Sequence, residues 1–183
     1  MRQRIGCYRR NYLAWESQHK LLLNPFEWEV PAQALLDVIA AEGFRIERSF
    51  LSRGRLSEIQ WRDQTILIDR DFEKRLQCGS RHQEALHSTL CFQLAHLILH
   101  KGKPRQSHHD TEAWVWTTLF LCPWWLIRQS HDLKALESGL LSEKQRWQKI
   151  YGLAQWLEVS PSLVRMALEL YGVGQSQNHG RVA

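Results

Sequence analysis

The stretch "FQLAHLILH", Phe92 to His100, sets His96 and His100 four residues apart in an otherwise apolar run. On a helix that spacing projects both imidazoles from one face. A zinc peptidase helix uses two histidines spaced in this way, with a glutamate beside the first as general base on the metal-bound water and a third ligand from a later helix. Laid over the pattern HExxHxxxH, Phe92 falls at the first ligand, Gln93 at the base, His96 at the second ligand and His100 one turn beyond. Phenylalanine cannot coordinate zinc, and a neutral amide cannot take a proton from a metal-bound water as a carboxylate does. Loss of the base alone costs about 10²–10⁴-fold in rate, and loss of a ligand weakens the metal as well. Hydrolysis by this mechanism is therefore not expected.

The elements that must position these residues are legible along the chain. "PFEWEVPAQALLDVIAAEGF" opens with prolines, places Ala34, Leu35, Val38, Ile39 and Ala41 on one helical stripe, and stops at Gly43. "FRIERSF", "SEIQWRD" and "TILIDR" predict three short strands in an antiparallel meander. Ile66-Leu67-Ile68, apolar on both sides, belongs inside the sheet. From about Glu84 to His100 the pattern is helical and then apolar nearly all round, as in a helix at the middle of a domain. "KGKPRQSHHD" breaks it, and a second helix runs from about Thr111 to Leu121, ending at Cys122-Pro123. Two more helices flank "EVSPS", where Ser160 is suited to cap and Pro161 to the first helical position.

Taken in order, "ILIDR", "FQLAHLILH", "DTEAWVWTTLFLCPWWLI" and "LAQWLEVSPSLVRMALELYG" resemble the ImmA/IrrE family of metallopeptidases over about residues 31–173. The family's corresponding helices read "HELGHxLLH" and "ExEANxFAAxLLMP", and its closing segment reads "LAxxFxVSxxAxxxRLxxLG". The resemblance implies an α+β fold: a mostly helical, zincin-like metallopeptidase domain with a small three-stranded antiparallel sheet and a C-terminal helix pair. It places His96 at the second zinc histidine and Glu112 at the glutamate that supplies the third ligand. Phe92 and Gln93 then stand at the other ligand and the catalytic glutamate, and both departures strike the chemistry.

Substitute ligands lie nearby, since seven of the nine histidines fall between His82 and His131. A site of His96, His100 and Glu112 requires the second helix to slide by one turn, about 5.4 Å. The triplet His108-His109-Asp110 reads as a solvated loop. The expectation is that no zinc or other cofactor is bound and that His96 is a core histidine hydrogen-bonded to Glu112.

Trp114, Trp116, Trp124 and Trp125 cluster in and just after the second helix. Trp114 or Trp116 is suited to fill the volume of a lost metal, and the adjacent Trp124-Trp125 pair is suited to anchor a partner. The helix pair within residues 146–172 also fits a helix-turn-helix, but its second helix offers little beyond Ser160, Ser162 and Arg165 for reading bases.

The net charge of +5 is concentrated at the start of the chain. In residues 1–20, Arg2, Arg4, Arg9, Arg10 and Lys20 face only Glu16, so residues 1–24 form a basic arm on a nearly neutral body of residues 25–173, with residues 174–183 as a disordered tail. The arm is suited to nucleic acid or an acidic partner. Cys7, Cys78, Cys91 and Cys122 form no CxxC pair and indicate a reducing compartment. No secretory signal is apparent, and the apolar run Trp114–Ile127 is too short to cross a bilayer. These features predict a cytoplasmic protein with no membrane association.

The resulting expectation is an inactive pseudopeptidase that acts as a protein-binding, regulatory or assembly subunit. One alternative is a subunit that contacts DNA or RNA through Arg2, Arg4, Arg9, Arg10 and Arg165. The other is a zinc metallopeptidase with displaced ligands that acts on a repressor-type regulator.

Overall fold

The computed structural model describes residues 32–52, 55–71, 82–104 and 106–173. The basic arm with its four arginines, the tail 174–183, Cys7 and Cys78 lie outside the described residues. By internal contacts the chain divides into two compact units, with the boundary between Thr117 and Thr118.

In the first unit, α1 (Ala32–Ala41) buries Leu35 and Ile39, one turn apart. Val38 is 37 % exposed and Ala41 is also exposed, so the buried stripe is narrower than the sequence pattern suggested. Gly43 ends the helix at φ 85, with Gly43 N–H donating to Ala40 and Phe44 N–H to Ile39. This is a Schellman stop, and Phe44 at its far side is buried like Ile39.

The sheet comprises β1 (Arg45–Ser49), β2 (Ser57–Gln60) and β3 (Thr65–Asp69), in the order β1-β3-β2. It is not an antiparallel meander: β2 pairs antiparallel with β3, but β1 pairs parallel with β3, with Ile46 and Ile59 both opposite Ile66. The cause lies in the two connections. The turn Trp61–Gln64, with Gln64 at φ 48, folds β2 directly onto β3. β1 and β2, consecutive in sequence, instead flank β3 on its two sides. β3, whose Ile66 and Ile68 are buried, holds the centre as expected, while β1 bears the exposed Arg45, Glu47 and Arg48 suited to an edge.

α2 (His82–His100) packs against α1 and across β2. It buries Leu90, Cys91, Leu94, Ala95 and Leu97, which is why its sequence is apolar nearly all round. Gly102 at φ 75 breaks the chain, and α3 (His109–Leu121) follows after a short loop.

The second unit continues through α4 (Trp124–Ile127), α5 (His131–Glu137), α6 (Glu143–Trp156) and α7 (Pro161–Tyr171). Ser130, Ser142 and Ser160 each accept a backbone N–H at a helix start, Ser142 in a reciprocal capping box with Gln145. Ser160 and Pro161 take their expected cap and first-turn places. Ile150 and Leu153 of α6 and Leu163, Val164 and Leu168 of α7 are buried, and Glu158 turns the chain between the two helices at φ 53. Cys91 of the first unit and Cys122 of the second are fully buried, and burial pushes both thiols far above the usual range. Among the described residues the fold is thus α+β and mostly helical, with one small mixed sheet. Among the described residues no helix is long and apolar enough to cross a membrane.

Candidate functional site

Phe92, His96 and His100 follow one another at intervals of four on α2 and share one face. Phe92 meets Trp114 of α3 with ring centroids 4.6 Å apart and stands edge-on to His96 at 4.7 Å. Gln93, only 4 % exposed, donates from Nε2 to the Ser57 hydroxyl of β2 in a short hydrogen bond. The two positions that the resemblance assigns to a ligand and a base are thus occupied by groups packed into or tied to the surrounding structure.

The histidines form a polar chain. His96 Nδ1 and His100 Nδ1 lie 3.0 Å apart. Their outer nitrogens face the first turn of α3, with His96 Nε2 3.4 Å from Asp110 and His100 Nε2 3.2 Å from Glu112. His109 stacks on His100 at 3.9 Å, nearly parallel, and its Nδ1 accepts the Gln106 N–H. Burial holds the His100 imidazole below its usual pKa, and the charges of His109 and Lys103 act in the same sense, against the opposing hydrogen bond and charge of Glu112. A neutral His100 that donates from Nε2 to Glu112 has Nδ1 free to accept from His96.

The expected link between His96 and Glu112 is therefore replaced by one between His100 and Glu112. Only eight residues separate α2 from α3, so the first turn of α3 comes back beside the last turn of α2. His96, His100 and Glu112 do not fit the zinc site that the resemblance implies. That site needs three side-chain donors converging on one point at about 2.0–2.2 Å. Here Phe92 stands at one donor position, while Asp110 and Glu112 are each turned to an imidazole nitrogen. Among the described residues no group of three or more His, Cys, Asp or Glu side chains is arranged to hold a metal ion.

Beside this chain lies an open groove of about 480 Å³ between β2 and α2, closed at one end by the start of α3. Ser57, Glu58 and Ile59 of the strand form one wall, and Phe92, Gln93 and His96 face them. Trp61 and Trp114, 40 % and 39 % exposed, supply its aromatic surface. Trp116, by contrast, is 2 % exposed and belongs to the core.

The other expected site residues lie in the second unit. Trp124 and Trp125 are half-buried, Trp124 against Tyr171, whose hydroxyl donates to the Cys122 carbonyl. Arg165 is exposed, 3.7 Å from Glu169 and over the Trp147 ring at 6.0 Å. Sequence reasoning missed Ser57 and Trp61. The only signal for either was the position of Trp61 where the strand run "SEIQW" meets its turn.

Comparison with protein-family models, curated proteins and solved structures gives no match for this chain.

Proposed function

We propose that this protein is a degenerate metallopeptidase of the ImmA/IrrE type that has lost peptidase chemistry and works by holding an extended segment of a protein partner. The observation that carries the reading is the commitment of two adjacent residues on α2. Gln93, at the position of the catalytic glutamate, is bonded to Ser57, and Phe92, at a ligand position, is packed against Trp114 with the rings tilted by 32°. What remains beside them is an open groove along an edge strand. An edge strand takes up an extended chain through backbone hydrogen bonds, which require neither metal nor base. The partner is a regulator or a component of a larger assembly, and Trp61 and Trp114 are better placed than the half-buried Trp124 and Trp125 to anchor it. Reading of nucleic acid by α7 has less support, because Arg165, the one cation on that helix, already faces Glu169.

The test is terminal profiling of a proteome-derived peptide mixture incubated with the full chain, with and without added zinc. The expected result is no new peptide termini in either case. New termini that appear with the wild-type chain and vanish in His96→Ala overturn the reading in favour of a metallopeptidase with displaced ligands.

A further inference from the structure

The register of the sheet specifies which backbone groups the groove offers. Asp69 donates its N–H to the Leu56 carbonyl at 3.0 Å, and the same register sets Glu58 opposite Leu67 and Gln60 opposite Thr65. Antiparallel ladders alternate bonded and non-bonded pairs. Leu56, Glu58 and Gln60 therefore bond to β3, and Ser57 and Ile59 direct their N–H and C=O groups outward along an edge that no other described strand covers. The other edge, β1, is lined by the exposed charges of Arg45, Glu47 and Arg48, a pattern that discourages strand addition.

Two further features give the occupant its chemistry. Trp114 leaves 39 % of its surface in water while its ring packs, tilted, against Phe92, an arrangement suited to an aromatic anchor seat. On the groove wall Glu58 meets Arg55 at 2.6 Å, and Asp110 lies 3.4 Å from the His96 imidazole. Lys103, exposed at the rim, has its ammonium on the Leu99 backbone carbonyl at 2.6 Å. It is a cation facing the groove with a neutral partner.

We propose that the groove takes an extended peptide segment with one large apolar or aromatic side chain, seated against Trp114 and Phe92, and a nearby carboxylate that pairs with Lys103. This rests on the strand-addition reading above and adds the identity of the segment. The carboxylate comes from an Asp or Glu side chain or from the segment's own C-terminus.

The test is selection of a random dodecapeptide library on the immobilised full chain, displayed with free C-termini and, separately, with C-termini fused onward. The expected result is enrichment of sequences that pair an aromatic or large aliphatic residue with an acid. Enrichment only in the free format assigns the carboxylate to the chain end, and enrichment in both assigns it to a side chain. Synthetic versions of the winners should bind Trp114→Ala about ten-fold or more weakly, and Lys103→Glu should reverse the preference for acid. Ile59→Pro removes an outward N–H that the ladder does not use and should abolish binding. If a variant loses its thermal unfolding transition, Trp114→Phe and Lys103→Gln take its place with smaller shifts in the same direction. Winners without the apolar and acidic pair, or affinities unchanged in Trp114→Ala and Lys103→Glu, overturn this inference, while sensitivity to Ile59→Pro would leave strand addition standing. Binding indifferent to Ile59→Pro overturns strand addition itself, and a library that yields no binder counts against both.

Discussion

Gln93 of α2 donates its side-chain amide to the hydroxyl of Ser57 on edge strand β2, joining the two walls of the groove through a buried hydrogen bond. A glutamate poised to take a proton from water would have to face the open space, whereas this amide is turned to the protein. Ser57→Ala leaves the amide without that acceptor, and the expected loss of stability is about 1–3 kcal/mol. Ser57→Ala combined with Gln93→Leu removes both partners and should be destabilised by less than the sum of the single changes. Denaturant unfolding of the four proteins in the cycle measures this.

A second expectation concerns pH. Burial holds the folded-state pKa of His100 below its ordinary value of 6.5, so the unfolded chain binds the proton more readily than the folded one. The stability associated with neutral His100 is complete above the unfolded pKa and is lost as pH falls from there through the folded pKa. The denaturation midpoint should therefore fall as pH is lowered from about 6.5. His100→Gln, which cannot titrate, should flatten that part of the profile. A profile equally steep in the variant would place the effect elsewhere.

The turn between α6 and α7 carries a third. Glu158 sits at φ 53, in the left-handed region where a side chain costs about 1–2 kcal/mol. Glu158→Gly relieves that cost against the greater freedom of glycine in the unfolded chain. A net gain of about 0.5–1 kcal/mol is expected, read as a higher thermal midpoint. Glu158→Val should lower it.

Much of this arrangement is written in local sequence. The period of Leu35 and Ile39, the Gly43 stop, the Ser160-Pro161 start and the apolar Ile66-Leu67-Ile68 strand each follow from short-range chemistry, and each lies where that chemistry puts it. What was not legible depends on the paths of connections. The parallel pairing of β1 with β3 depends on β1 and β2, consecutive in sequence, taking opposite sides of β3. The pairing of Glu112 with His100 rather than His96 depends on how closely the loop after α2 returns α3 to it. Trp114 and Trp116, two residues apart on a helix, are similar in type, and only the packing of α3 decides that Trp116 is core and Trp114 faces the groove.

If the proposed kinship holds, Phe92→His and Gln93→Glu would rebuild the residues of the motif that the sequence resembles. Phe92→His with Gln93→Glu removes the Phe92 ring that packs against Trp114 and the amide donor to Ser57 together. A loss of about 2 kcal/mol or more is expected from packing and hydrogen bonding combined, without stoichiometric zinc. Thermal unfolding and metal content of the double variant check both halves.

The most direct measurement is the zinc content of the purified full chain, by elemental mass spectrometry after equilibration with a small excess of zinc and buffer exchange. Well under one zinc per chain is expected, unchanged in His96→Ala. One zinc per chain, lost in His96→Ala, would contradict it and return the groove to metal-dependent chemistry.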